Sequence, residues 1–398
     1  MMLRNRTALS TKTNLPQQQT NGPVKAVDPP AKFFQRAASK QIAPLKEDIN
    51  VLEPKAKRAA LNELTTKLSN GLVLDSVRKG LGVRKTEKLA PKAEPEDILE
   101  DELMDEKKEE DPCPDYDYDA ENKNDPYNVP EYAFDIFVYY RNRETAYAVG
   151  DYLKKQPKLS IGSRAILVDW MVEETFELNH ETLYLAVKLV DTYLYRTTKK
   201  VKPEELQLIA SAAVFVASKY EERSPPLIDD FIYLSQDSFK KEALEEAERE
   251  VFRMVDFDLG APLSYSHLRR YAKACKVDMQ GLTLARYILE TSLMFYEFVS
   301  ASESKMAAGA FLLALKMVDE KAEWTPVMHK YSGYSSEEVE PWAWALNHML
   351  HIRKSSGGKY SKQHTVVDKY SHEIFFKSSE VPLLADKFRL ASPLVCPK

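Results

Sequence analysis

The stretch 163-SRAILVDWM-171 places two charged side chains in an otherwise apolar run. Its pattern predicts a helix that begins near Ser163. Arg164 and Asp169 are five residues apart, whereas residues three or four apart are neighbours on a helix surface. The two side chains are therefore poorly placed to pair along one face, which leaves open what holds the charge of Arg164.

Helical periodicity dominates the sequence from about residue 126 onward, with little strand-like alternation. The segment 206-LQLIASAAVFVAS-218 is apolar or small on all sides, which is typical of a central buried helix. The pattern as a whole predicts helices at 131–144, 163–178, 181–195, 204–220, 227–233, 239–255, 264–274, 281–299, 302–319, 324–331 and 335–353.

A weak internal repeat relates 211-SAAVFVASK-219 to 308-AGAFLLALK-316, at an offset of 97 residues. Small residues come first in both, then bulky ones, then a lysine, and further helices surround each copy. Two copies of a five-helix unit fit these lengths. Chance similarity between two buried helices explains the match equally well, so the repeat alone does not decide between them.

Charge divides the chain into three parts. Residues 1–92 carry a net charge of +11, residues 93–125 carry −13, and the remainder carries −3. Residues 1–125 have few aromatic side chains and long blocks of like charge, so they are predicted to be disordered. The acidic part of this tail is interpreted as a solvated spacer.

The sequence indicates an intracellular soluble protein without a metal site or cofactor. Its three cysteines, Cys113, Cys275 and Cys396, are too far apart for a disulfide framework or a metal-binding motif. The longest apolar runs are too short to span a bilayer, and the N-terminus lacks a signal-peptide pattern. We therefore expect no membrane association.

Motifs of catalysis are missing from the sequence. His180-Glu181 resembles the start of a zinc-protease helix, but Tyr184 stands where the second histidine is needed. The stretch 80-GLG-82 has no preceding strand pattern, and neither a phosphate-binding loop nor a serine nucleophile motif occurs. A non-enzymatic, interaction-driven function is favoured. Nucleic-acid binding is a weaker choice because the helical part is slightly acidic.

Several motifs, in family order and spacing, resemble a cyclin, and the ending 369-KYSHEIFFKSSEVPLL-384 is most similar to the type-three subgroup of mitotic B-type cyclins. The resemblance covers about 250 residues. The motif at 163–171 resembles the one that opens the first cyclin box. The other matching segments are 129-VPEYAFDIFVYY-140, 181-ETLYLAVKLVDTYL-194, 206-LQLIASAAVFVASKYEE-222, 248-EREVFRMVDFDLGAP-262 and 306-MAAGAFLLALKM-317.

The resemblance implies an all-α fold with two tandem five-helix cyclin-box repeats and an N-terminal helix, preceded by a disordered tail. It also implies that Arg164 pairs with Asp191 on the next helix as a structural ion pair. The implied organisation is a regulatory tail at 1–125, an N-terminal helix and first box at 126–260, a second box at 261–385 and a C-terminal tail at 386–398.

The implied function is that of a non-catalytic regulatory subunit. It would bind and activate a mitotic cyclin-dependent serine/threonine kinase through Lys219 and Glu248, which hold the αC helix of the kinase in the family. A transcription-factor-IIB-like protein that uses the same repeat fold to bind DNA is the alternative. The other implied kinase contacts are Tyr132, Ile136, Tyr139, Tyr220, Glu222, Phe252, Phe257 and Leu259.

A second implied surface recruits substrates that carry Arg-x-Leu. Two departures affect it, since Ser163 replaces the methionine of the motif and Pro203 replaces a frequent arginine. An alternative is that Ile166 and Leu167 belong to the core. The matching residues are Ile166, Leu167, Trp170, Leu206 and Gln207.

The tail carries two candidate destruction boxes, the motif RxxLxxxxN that the anaphase-promoting complex reads in this family. The stretch 6-RTALSTKTN-14 matches fully, with Arg6, Leu9 and Asn14. The stretch 58-RAALNELTT-66 keeps Arg58 and Leu61 but has threonine at the last position. The resemblance also implies a nuclear location, with the cytoplasm as a second one, and degradation after ubiquitination at mitotic exit.

Overall fold

The computed structural model describes residues 111–125, 127–174, 178–236, 238–355, 360, 362–388 and 393–397. Thirteen α-helices and no β-strand occur within these residues. We number the helices α1 Tyr118–Glu121, α2 Pro130–Arg143, α3 Ile161–Glu174, α4 His180–Arg196, α5 Leu206–Glu221, α6 Ile228–Leu234, α7 Lys241–Met254, α8 Ser264–Ala274, α9 Met279–Ser292, α10 Glu303–Val318, α11 Pro326–Ser332, α12 Ser336–Lys354 and α13 Thr365–Ser371.

Two five-helix units follow one another, α3–α7 and α8–α12. The helix α5 lies at the centre of the first unit, against α3, α4 and α7, and α10 lies at the centre of the second, against α8, α9 and α12. Both central helices have 16 residues and begin 97 positions apart. The prediction of an all-α fold built from a repeated unit is confirmed.

Small residues on the central helices allow close packing of their neighbours. Gly309 of α10 is the clearest case, since an added Cβ atom would lie 2.6 Å from Cβ of Trp342 in α12. In a close-packed interior, the neighbouring side chains cannot move far enough apart to relieve so short a contact. Ala210, Ala212, Ala213 and Ala217 of α5 are fully buried in the same way.

The helix predicted over 281–299 ends earlier, at Ser292, and a 3₁₀ turn follows at Tyr296–Phe298. Hydroxyl groups take over backbone acceptors at this end: Thr291 Oγ1 donates to the carbonyl of Tyr287 at 2.7 Å, and Ser292 Oγ donates to that of Leu289 at 2.6 Å. Serine and threonine compete with helical bonding in this manner. The pattern of apolar residues did not reveal this stop.

The prediction of disorder as far as residue 125 is wrong for residues 111–125. Tyr116 OH donates to the carbonyl of Ala274 at 2.7 Å, and the backbone N–H of Tyr118 donates to Tyr331 OH at 2.7 Å. Asp119 is buried against Arg270, with 2.6 Å between Oδ1 and Nη1. The disorder prediction relied on average composition, which does not reveal the few residues of this acidic segment that contact the helices.

The predicted C-terminal tail also begins too early at 386. Asp386 Oδ2 lies 2.8 Å from Nδ1 of His348 in α12, and the rings of His348 and Phe388 are 5.1 Å apart. Upstream of them, the carbonyl of Leu384 accepts a hydrogen bond from His351 at 2.7 Å. Residues 384–388 therefore belong to the second unit.

The helix α13 was not predicted, and it joins the two units. Lys369 Nζ donates to Glu290 Oε1 at 2.6 Å, and Tyr370 OH donates to Glu290 Oε2 at 2.8 Å. All three side chains are buried. In the first unit, Asp169 of α3 accepts a hydrogen bond from the backbone N–H of Thr365, the first residue of α13, at 3.2 Å.

None of the described helices is long and apolar enough to cross a membrane. Across the same residues, histidine, cysteine and acidic side chains do not gather in groups that could hold a metal ion.

Candidate functional site

Arg164 is held by a bidentate ion pair with Asp191. Its Nε lies 2.8 Å from Asp191 Oδ1 and its Nη2 lies 2.6 Å from Oδ2, and both residues are about 5% exposed or less. Tyr152 OH donates to Asp191 Oδ1 at 2.7 Å. Burial opposes the charge of Arg164, but Asp191 and Tyr152 outweigh this effect and raise the pKa of the guanidinium.

The same guanidinium also reaches the second unit. Arg164 Nη1 donates to the backbone carbonyl of Leu293 at 2.7 Å, directly after the last residue of α9. This carbonyl lies beyond the helical hydrogen-bond ladder and needs a donor. Arg164 therefore connects α3, α4 and the end of α9, and the third connection was not foreseen from the sequence.

Lys219 and Glu248 form an ion pair on the surface of the first unit. Lys219 lies in the last turn of α5, and its Nζ donates to Glu248 Oε1 of α7. The ammonium group lies 4.0 Å from the centroid of the Phe215 ring. The two charged side chains are 39% and 26% exposed, and an ion pair this accessible adds less than about 1 kcal/mol to stability.

Aromatic residues lie close to this ion pair in the sequence, and two of them are exposed. Tyr220 follows Lys219 directly and is 55% exposed, and Phe257 follows α7 and is 62% exposed. Phe252 of α7 packs edge-on against Phe257, with ring centroids 5.0 Å apart. Leu259 is partly buried against the core. Aromatic residues are enriched at the centres of protein interfaces, so the exposed rings of Tyr220 and Phe257 are what marks this surface as a candidate interface.

The N-terminal helix α2 extends this surface. Tyr132 and Tyr139 are 61% and 53% exposed, whereas Ile136 is half-buried. Burial raises the pKa of Tyr140 on the same helix, and the nearby Tyr220 raises it further. The side chain of Tyr140 on α2 therefore lies near Tyr220 of α5, and Tyr132, Ile136 and Tyr139 belong to the same helix as Tyr140.

Glu222 has a role that the sequence did not suggest. Its Oε1 accepts hydrogen bonds from the backbone N–H of Asn179 at 2.6 Å and from Thr182 Oγ1 at 2.5 Å. Its Oε2 accepts one from Asn179 Nδ2 at 2.8 Å. These groups belong to the N-terminus of α4, where acceptors are needed. Both carboxylate oxygens are therefore engaged within the chain.

The five residues predicted to dock Arg-x-Leu substrates have different environments. Ile166 is 61% exposed, and Trp170 and Gln207 are half-buried. Leu167 and Leu206 are core residues, 6% and 5% exposed, and their part in substrate docking stays a prediction. They turn inward because α3 packs against α5 and α13.

The two departures from the family motif also have local explanations. Ser163 lies in the first turn of α3 and exchanges hydrogen bonds with Ser160, donating from Oγ to the Ser160 carbonyl at 2.8 Å. Pro203 begins the 3₁₀ turn Pro203–Glu205 that precedes α5. The candidate destruction-box residues Arg6, Leu9, Asn14, Arg58 and Leu61 lie outside the described residues.

Comparison with known families matches both units. The family model described as "Cyclin, N-terminal domain" matches residues 135–260, and the family model described as "Cyclin, C-terminal domain" matches residues 262–384.

Two similar proteins are G2/mitotic-specific cyclin-B3 proteins. The protein of Caenorhabditis elegans is 51% identical over 284 residues, which are 70% of this chain and 73% of that protein. The protein of Drosophila melanogaster is 47% identical over 278 residues, which are 68% of this chain and 47% of that protein. Among solved structures, a viral cyclin from herpesvirus saimiri has a TM-score of 0.45 at 22% identity, covering 61% of this chain and 99% of its own.

Proposed function

The chain belongs to the cyclin family and is similar to G2/mitotic-specific cyclin-B3 proteins, and from this premise we propose that it is a non-catalytic regulatory subunit. It binds a mitotic cyclin-dependent serine/threonine kinase, activates it and thereby controls mitotic progression. The observation that carries this proposal is the Lys219–Glu248 pair, which the fold leaves accessible among exposed aromatic residues.

The activation requires no chemistry by this chain. A protein kinase works only when a lysine of its β3 strand pairs with a glutamate of its αC helix and its activation loop is in place. A rigid surface that binds αC only in its inward position shifts the equilibrium toward the active kinase by its differential affinity. Lys219 and Glu248 supply charge at the centre of this surface, and the aromatic residues exclude water around it.

The experiment adds the purified chain to a purified mitotic cyclin-dependent kinase subunit and measures phosphorylation of a histone substrate. We expect the two proteins to form a one-to-one complex and the rate of phosphorylation to rise well above that of the kinase alone. Absence of both binding and activation across the mitotic kinases would refute the proposed function.

We further propose that the tail directs destruction of the protein by the anaphase-promoting complex at mitotic exit. Support comes from the sequences 6-RTALSTKTN-14 and 58-RAALNELTT-66. Replacing Arg6, Leu9, Arg58 and Leu61 by alanine is expected to leave the protein present after mitotic exit, which immunoblotting of synchronised cells measures. Normal loss of this variant would contradict the assignment.

Substrate docking and a nuclear location complete the proposal. Substrates with Arg-x-Leu would dock on Ile166, Trp170 and Gln207, the accessible members of the predicted patch. Replacing Ile166 by aspartate should then raise KM for such a substrate and spare kinase binding.

The nuclear location is a separate part of the proposal, and microscopy of a fluorescent fusion tests it.

A further inference from the structure

The turn after α7 adopts the left-handed backbone region at two residues that are not glycine. Asp256 has φ 56° and Phe257 has φ 62°. The N–H of Phe257 donates to the carbonyl of Phe252 at 3.0 Å, and that of Asp256 donates to Arg253 at 3.0 Å. This is the Schellman pattern, in which glycine is the usual left-handed residue. A bulky residue in this region persists only when its surroundings hold it there.

Two arginines from different helices bind this turn. Arg196, the last residue of α4, donates from Nη1 to Asp256 Oδ2 at 2.8 Å and to the carbonyl of Met254 at 3.0 Å. Arg143, the last residue of α2, donates from Nη2 to Asp258 Oδ2 at 2.7 Å. Acceptors on both sides of Phe257 are therefore fixed from outside the turn.

The contacts of Arg143 extend into the proposed partner surface. Its Nη1 donates to Tyr139 OH at 2.8 Å, and its Nη2 also donates to Tyr147 OH at 2.6 Å. A single guanidinium thus joins the exposed ring of Tyr139 to the turn that carries Phe257. An aromatic side chain that is fixed before binding loses less conformational entropy when a partner covers it.

We propose that Arg143 and Arg196 are positioning residues, which clamp the turn 255–258 and thereby present Phe257 to the kinase. The proposal rests on the proposed function for the identity of the partner. The clamp itself is a property of the free chain, and its two arginines act through Phe257 without any need to touch the kinase.

The first test uses the full chain without a partner. Hydrogen exchange of the backbone amides at 255–258 is compared between the wild type and the variant Arg143→Met/Arg196→Met. We expect exchange to accelerate by about tenfold or more, because local opening becomes easier. Arg249→Met is the matched control, at an exposed arginine of α7, the helix that precedes the turn, and it should leave the exchange rates unchanged. Unchanged exchange in the double variant would overturn the clamp.

The second test measures the dissociation constant for a purified mitotic cyclin-dependent kinase subunit. The double arginine variant should bind about tenfold more weakly. In a Phe257→Ala background the same substitutions should cost less than about threefold, because residues that act through one another are not additive. Adding Asp256→Gly to the double arginine variant should restore binding, since glycine adopts left-handed backbone freely. Equal losses in both backgrounds would overturn the positioning role.

These two tests separate the inference from the proposed function. Failure of the wild-type chain to bind any mitotic cyclin-dependent kinase would refute the proposed function and the presentation of Phe257 to that partner. Exchange at 255–258 would still decide whether Arg143 and Arg196 hold the turn.

Discussion

Replacing Arg164 by alanine is expected to lower the free energy of unfolding by about 3–5 kcal/mol. The substitution leaves the buried carboxylate of Asp191 with only Tyr152 as a partner among its described contacts, and it removes the donor to the carbonyl of Leu293. Denaturant unfolding of the full chain measures the loss. We also expect less soluble protein, because this loss is a large part of the stability of a typical domain.

A double-mutant cycle identifies the cause of this destabilisation. If the uncompensated charge of Asp191 dominates, Arg164→Ala/Asp191→Ala should be less destabilised than the sum of the two single variants. Arg249→Ala, at an exposed arginine of α7, is the control and should stay within about 0.5 kcal/mol of the wild type. An Arg164→Ala protein that folds normally and loses kinase binding would contradict the structural assignment.

Replacing both Lys219 and Glu248 by alanine is expected to have the opposite effect to Arg164→Ala, because it should spare stability and weaken kinase binding. The exposed pair contributes less than about 1 kcal/mol to stability, so the unfolding transition should barely move. Affinity for the kinase should fall by about 100-fold or more, because truncating one of the few residues that dominate an interface costs about 2 kcal/mol or more. Circular dichroism and binding calorimetry on the same preparation measure the two quantities.

An ion pair elsewhere on the chain is the matched control for this variant. Lys276 and Glu121 also form an exposed lysine–glutamate pair, with 2.7 Å between Nζ and Oε2. Replacing both by alanine should leave kinase affinity unchanged. Equal losses of affinity in the two double variants would show that general charge, and not this site, drives the binding.

The repeated fold was predictable because its strongest signals are local. The central helices α5 and α10 are apolar or small on nearly all sides, and this pattern does not depend on any distant contact. The partner of Arg164 was not predictable from spacing, since Asp191 is 27 residues away, and its identification relied on the resemblance to cyclins. The contact with Leu293 depends on where α9 ends, which the hydroxyl groups of Thr291 and Ser292 influence.

The residues of the candidate surface were predictable from the sequence, but the solvent exposure of each residue was not. Ile166 and Leu167 are neighbours in sequence and differ tenfold in exposure, at 61% and 6%, because adjacent helical residues point about 100° apart. Arg143 and Arg196 gave no local signal, since their acceptors at Asp258 and Asp256 lie 115 and 60 residues away. The same applies to Asp119, whose partner is Arg270.

The most direct test of the account is the phosphorylation rate of a purified mitotic cyclin-dependent kinase in three mixtures: alone, with the wild-type chain, and with the folded Lys219→Ala/Glu248→Ala variant. We expect a large increase with the wild-type chain, and only the rate of the kinase alone with the variant. Equal activation by the wild type and the variant would contradict the role of Lys219 and Glu248.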